Sequence, residues 1–301
     1  MYRDFYQLKK IPFGLTPDPK YLFKTESYLE VTANLKYGVE QSKGIVVVLG
    51  EVGTGKTTTL RSMIQQFGHD ILSVYIFNPY LTVAEFFELF TDGLKLGLPR
   101  TVSKADLLNA IGRTLAIRHS KGLRTVLVVD EAHGLSNALL EEIRLLANFE
   151  TNSEKLLQVI LCGQPELRGL LNQPQLRQLK QRVSLRCKIL PLTPPEVNKY
   201  IRFRLKTAGA ERVDIFEPEA VDLIAQVSLG IPRVINNICD NALLYGYAGG
   251  HHHISREVVD EVIDVLDISA NDYTNDTNDS SEKGQWENLQ NAAVAVASPH
   301  R

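Results

Sequence analysis

The chain has 301 residues, 44% apolar and 23% charged, with a formal net charge of -2 at pH 7. That length allows one α/β core plus a smaller second domain. The near-neutral charge excludes a global basic field that would draw in nucleic acid or an anionic membrane. The three cysteines, Cys162, Cys187 and Cys239, lack metal-ligand spacing. They read as small buried apolar residues in a reducing cytoplasm. The N-terminus has no apolar core of a secretory signal. No apolar run approaches the roughly 20 residues of a membrane span.

In chain order, residues 1–43 form a lead-in of aromatic residues, then Pro12, Pro17 and Pro19, then a predicted helix over 27–41. Residues 44–192 alternate short runs of Val, Ile and Leu with helical patterns. Strands are predicted at 45–49, 72–77, 125–129, 157–162 and 185–190, each apolar enough to be buried on both faces. Helices are predicted at 57–66, 83–96, 104–119, 137–149 and 165–171. This alternation specifies an α/β fold with a parallel five-stranded sheet flanked by helices. From Pro191 onward only helical periodicity remains. Pro194 and Pro195 suit the first turn of a helix reaching about 208, and helices follow at 218–227, 232–247 and 256–266. Residues 193–267 are therefore a small all-helical domain. The tail, 268–301, is rich in Asn, Asp, Ser and Thr around Trp286. It is expected to be disordered, with a short docking helix over 292–297 as the lesser alternative.

The strongest signal is Gly50-Glu51-Val52-Gly53-Thr54-Gly55-Lys56-Thr57, which fits G-x-x-x-x-G-K-[ST] between a strand and a helix. Glycines let a backbone wrap a phosphate, and a helix N-terminus adds partial positive charge. Lys56 is expected to neutralise the β- and γ-phosphates of ATP, Thr57 to ligate Mg²⁺, and Thr58 to touch the α-phosphate side. The predicted strand at 125–129 ends in Asp130 and Glu131, two charges whose desolvation needs a reason. Asp130 is expected to orient the Mg²⁺ shell and Glu131 to polarise the attacking water. The spacing suits a sheet in which this strand lies close to the phosphate-loop strand.

Three further residues are candidates for the same site. Gln164 follows the strand at 157–162 and reads as a γ-phosphate or water sensor, or as the cap of the next helix. The basic run over 176–183 precedes the last strand. In ring-forming ATPases an arginine there reaches the γ-phosphate of the next subunit. Arg182 is the first choice and Arg177 the second, against a solvated helix end. Arg233, after Gly230-Ile231-Pro232, puts a cation at a helix start, where the dipole disfavours it. That conflict points to a phosphate contact coupling domain rotation to the nucleotide.

The opening Phe5-Tyr6, Pro12-Phe13, Thr16-Pro17-Asp18-Pro19 and Leu22-Phe23, with the phosphate loop, Val128-Val129-Asp130-Glu131-Ala132-His133, Cys162-Gly163-Gln164-Pro165-Glu166-Leu167 and Gly230-Ile231-Pro232-Arg233, resembles the ExeA/GspA family of AAA+ secretion ATPases. The resemblance covers about 1–267. The proline-rich opening and the Gln164 segment carry its specificity. It implies an AAA+ core with a helical lid, ATP hydrolysis, cytoplasmic placement, and work on an envelope secretion, polysaccharide-export or pilus-type apparatus. It further implies a homo-oligomeric ring, six subunits being one candidate size, recruited to the inner membrane by a partner protein. Longer family members continue into a membrane helix and a peptidoglycan-binding domain. This chain ends in a polar tail, so direct cell-wall binding is not expected. The core also resembles TniB/TnsC-type transposition regulators, which make DNA the less favoured partner.

Other residues have plainer readings. His251-His252-His253 reads as an exposed loop, because consecutive side chains do not converge on one tetrahedral ion. Phe86, Phe87 and Phe90 read as core. Tyr2, Phe5, Tyr6 and Phe13 are open between packing near adenine, against a neighbouring subunit, or on the sheet. Lys199, Arg202, Arg204 and Lys206 read as a solvated helix face in preference to a DNA or lipid surface.

Overall fold

The computed structural model describes residues 2–16, 18–99 and 101–268. The expectations for Trp286 and for 292–297 lie outside them. Five strands form one parallel sheet: β1 (Ile45–Gly50), β2 (Ile71–Ile76), β3 (Arg124–Val129), β4 (Gln158–Gly163) and β5 (Val183–Ile189). Their order is β2-β3-β4-β1-β5, so β4 lies between the phosphate-loop strand and the strand that precedes Asp130. Alternation along each strand divides its side chains between two cores. Ile45, Val47, Leu49, Leu127, Val129, Val159 and Leu161 face one layer. Val46, Val48, Val126, Val128, Ile160 and Cys162 face the other. Both faces are covered at β1, β3 and β4, which is why those strands read as unbroken apolar runs; β5, at the sheet edge, departs from the expectation, with Ser184, Arg186 and Lys188 exposed.

Helices α2 (Glu26–Glu40) and α3 (Lys56–Gln66) cover one face through Val31, Leu35, Leu60 and Met63. Helices α4 (Val83–Gly93), α5 (Lys104–Ser120) and α6 (Asn137–Leu146) cover the other, with Phe86, Phe87 and Phe90 in the core. Thr25, Thr82, Ser103 and Ser136 cap α2, α4, α5 and α6 with side-chain oxygens that accept first-turn N–H groups. Helix α4 stops at Gly93, short of the predicted 96. Lys95 and Gly97 turn to positive φ, which an α-helix does not accommodate. After α7 (Glu166–Leu171) the basic run forms α8 (Arg177–Gln181), anchored by buried Leu176 and Leu179.

The remaining helices are α9 (Pro194–Thr207), α10 (Pro218–Ser228), α11 (Pro232–Ala248) and α12 (Arg256–Val265), around a core of their own. The lead-in joins this core. A first helix, α1 (Tyr2–Phe5), is followed by Tyr6, Leu8 and Phe13, all packed among α9–α12. Phe13 meets Phe216 edge-on, and the Tyr2 hydroxyl donates to Asp240. Lys9 and Lys10 donate backbone N–H groups to Ala208 O. The four lead-in aromatics thus pack on the helical bundle rather than on the sheet. The histidine run is exposed, with the His252 ring stacked on Phe5.

Candidate functional site

The phosphate loop leaves β1 at Gly50 and enters α3 at Lys56. Gly53 and Gly55 have φ of 80° and 95°, a region that favours glycine. A Cβ at Gly53 would lie 2.7 Å from the Arg233 Cβ, whereas one at Gly55 would meet nothing within 4 Å. The loop is therefore closed toward α11 and open above α3. No side chain caps α3, which leaves its first-turn N–H groups for an anion. Lys56 is buried, and its Nζ donates to Gly50 O at 2.9 Å and Glu51 O at 3.0 Å. The Thr54 hydroxyl donates to Glu51 O.

Asp130 is 2% exposed at the end of β3. It accepts from the Thr57 hydroxyl at 2.6 Å, from the Tyr75 hydroxyl at 2.7 Å and from the Glu131 N–H at 3.0 Å. Burial, followed by the bond to Asp130, pushes the Tyr75 phenol well above its ordinary range. Tyr75 thus remains a neutral donor that fixes the carboxylate. Thr57 and Asp130 supply the hard oxygen ligands that Mg²⁺ takes alongside water and phosphate, so the residues fit that ion.

Glu131 has φ 52°, an uncommon conformation for a non-glycine residue. Among the described residues its Oε2 is buried with no hydrogen-bond partner. The His133 Nδ1 lies 3.4 Å away. Gln164 touches the same ring: its backbone N–H reaches Nδ1 at 3.4 Å, and its side-chain amide lies 3.2 Å from Nε2.

Gly53–Thr59, Glu131, Gln164 and Arg233 line one cleft of about 390 Å³. Leu15, Thr16, Leu22 and Phe23 of the lead-in close another side, and Leu190 and Leu192 form the passage to α9. Asp130 joins the site through Thr57, and Gly50 and Glu51 through their carbonyls on Lys56. Arg182 and Arg177 stand elsewhere. Val183 pairs with Ile45 at the start of β1, while Gly50 pairs with Ile189. Six strand residues at about 3.3 Å each separate Arg182 from the loop. Glu131 and His133 also border a shallow groove walled by Phe77, Asn78, Pro79 and Tyr80.

One expectation is corrected here. Lys199, Arg202 and Lys206 are exposed, but Arg204 is buried. Its Nε donates to Pro12 O at 2.6 Å, Nη1 to the Tyr200 hydroxyl at 2.8 Å and Nη2 to Gly14 O at 3.2 Å. The Tyr200 hydroxyl donates to Asn236 Oδ1, and all three residues border the cleft. The signal was present in the sequence: Val197, Ile201, Arg204 and Leu205 share one helix face at i, i+4, i+7 and i+8. Among the described residues no His, Cys, Asp and Glu group could hold a metal as a cluster.

The sequence model of a family described as an AAA domain matches residues 39–171. Over 254 residues, 84% of this chain, the sequence is 43% identical to General secretion pathway protein A of Aeromonas hydrophila. Residues 39–171 are an AAA domain, and the chain is a relative of General secretion pathway protein A. It spans about half, 46%, of that relative's length. Among solved structures this chain is similar to Cdc6p from Pyrobaculum aerophilum, at TM-score 0.67 and 18% identity over 85% of this chain and 70% of that one. The Aeropyrum pernix ORC2 protein in its ADPNP-ADP complexes gives TM-score 0.62 and 14% identity over 85% and 72%. The Thermotoga maritima RuvB Holliday junction branch migration motor gives 0.53 and 19% over 80% and 70%. At these identities the likeness is one of fold, and it agrees with the parallel five-stranded sheet and its flanking helices.

Proposed function

We propose that this chain binds ATP with Mg²⁺ in the cleft between the phosphate loop and α11, hydrolyses it, and uses the cycle to drive assembly or conformational change of an envelope secretion, export or pilus-type apparatus. The single observation that carries the reading is the 2.6 Å bond from Thr57 to Asp130, beside Lys56 and facing Glu131 in one cleft. Mg²⁺ would neutralise charge developing on the phosphates. Thr57 and Asp130 would hold it, with Tyr75 keeping the carboxylate oriented. Lys56, now on Gly50 and Glu51 carbonyls, would transfer its donors to phosphate oxygens. Glu131 would take a proton from the attacking water. Gln164 and Arg233 would contact the terminal phosphate from opposite walls.

The secretion assignment rests on the relative at 43% identity. Among the described residues no helix is long and apolar enough to cross a membrane. Cytoplasmic work with recruitment to the inner membrane by a partner is part of the proposal. So are a homo-oligomeric ring and a lid, 193–267, that turns about Leu192. A DNA-bound regulator is the alternative, and the exposed Lys199, Arg202 and Lys206 of α9 are in its favour. An ATP-dependent shift of duplex DNA with steep salt dependence would raise that alternative above the secretion reading.

The test is steady-state phosphate release. Glu131→Gln is expected to bind ATP and lose turnover by about 10²-fold or more, and Lys56→Ala to lose ATP binding. Equal turnover by Glu131→Gln and the parent chain would overturn the reading.

A further inference from the structure

Among the described residues the buried Oε2 of Glu131 has no hydrogen-bond partner, and His133 Nδ1 lies 3.4 Å from it. That same Nδ1 faces the Gln164 backbone N–H, also at 3.4 Å. The two neighbours make incompatible demands. Glu131 requires a proton on Nδ1, whereas the Gln164 N–H requires a lone pair there. A neutral imidazole carries one ring proton, so it meets one demand at a time.

The other ring nitrogen decides which. His133 Nε2 lies 3.2 Å from the Gln164 side-chain amide. When the amide NH₂ faces the ring, Nε2 accepts, the proton sits on Nδ1, and Nδ1 is turned to Glu131. When the amide is reversed, Gln164 Oε1 accepts from Nε2–H, Nδ1 accepts from the Gln164 backbone, and Glu131 Oε2 has no donor. Gln164 also lines the cleft. The second arrangement turns its NH₂ away from the ring, where a phosphate oxygen can accept from it.

We propose that His133 is a positioning residue whose tautomer reports the occupancy of the terminal phosphate site from Gln164 to Glu131. With that site empty, Nδ1–H holds the carboxylate. When a triphosphate takes the Gln164 amide, the ring proton moves from Nδ1 to Nε2 by exchange through water. The ring stays neutral and Glu131 is freed to accept a proton. The proposal rests on the nucleotide-binding reading above and deepens it by naming what couples substrate detection to the base.

The experiment uses the full chain with ¹⁵N-labelled histidine, the His133 signals being identified by their loss in His133→Ala. A non-hydrolysable ATP analogue is expected to move the ring toward the Nε2–H form. ADP is expected to leave it near the nucleotide-free form, and Gln164→Ala to abolish the response to the analogue. Equal ring shifts with ADP and the analogue, or a full response to the analogue in Gln164→Ala, would overturn the inference. A ring that responds to the analogue in a chain with no turnover would uphold it while removing hydrolysis from the proposed function. Failure to bind either nucleotide would remove both.

Discussion

The Arg204 guanidinium joins two parts of the chain that lie 190 and 192 residues apart, donating to Gly14 O and Pro12 O while the ring of Tyr21 covers it at 4.7 Å. A buried cation is tolerable only when its donors are satisfied, and here two backbone carbonyls and one hydroxyl satisfy them. Arg204→Ala leaves those acceptors without a partner. We expect a loss of roughly 3 kcal/mol, read as a lower urea midpoint with an unchanged m-value. Arg204→Lys should recover only part of it, since an ammonium lacks the planar fork; recovery of the parent midpoint would sink this account. Residues differ in how far the sequence discloses them. The placement of Lys56, Thr57, Asp130 and Glu131 together is legible because it is set by neighbours within a loop and a strand end. Arg204, Tyr75 and His133 are not, because each depends on a partner that only the tertiary fold supplies.

At the scale of elements, α11 is built against the phosphate loop. The Arg233 N–H donates to Gly53 O at 3.3 Å, and a Cβ at Gly230, φ 73°, would stand 1.9 Å from Leu192 O. The start of α11 therefore touches both the loop and the passage between sheet and bundle. Arg233 pays the helix dipole for its place there. Arg233→Ala should consequently leave the thermal midpoint of the nucleotide-free chain unchanged or raised, by no more than about 1 kcal/mol in stability. The rise in midpoint on adding ATP and Mg²⁺ should shrink, because ligand stabilisation scales with affinity. A nucleotide-free chain made clearly less stable by this substitution would assign Arg233 to folding instead. The strands and long helices were legible within two residues at most ends, since burial on two faces and amphipathic periodicity are local patterns. The helix end at Gly93, the short α8 and the docking of the lead-in were not. A left-handed Lys95 and a choice of packing partner leave no periodic trace.

In the whole molecule, the parallel sheet gives its two ends different tasks. Gly50 and Asp130 lie at the C-terminal ends of β1 and β3, where open parallel sheets bind ligands. Arg182 lies before β5, at the other end, with Val183 paired to Ile45. It is half-buried, and its charge, after that of Lys155, helps hold the Glu150 carboxyl below its usual range. About 20 Å of strand keeps Arg182 from the phosphate loop of its own chain. If it contacts phosphate, the phosphate belongs to a neighbour, and the contact is the head-to-tail kind that closes a ring. Arg182→Ala should then bind a fluorescent ATP analogue as the parent does and lose turnover. Mixed in equal amounts with Lys56→Ala, it should regain activity. Random assembly places an intact Arg182 beside an intact Lys56 at about a quarter of the interfaces. Arg177→Ala, on the exposed side of α8, should need no such rescue. Phosphate release from the mixture no higher than the sum of the two variants alone would remove Arg182 from the neighbour's site, and the ring would lose the residue that makes its subunits depend on one another.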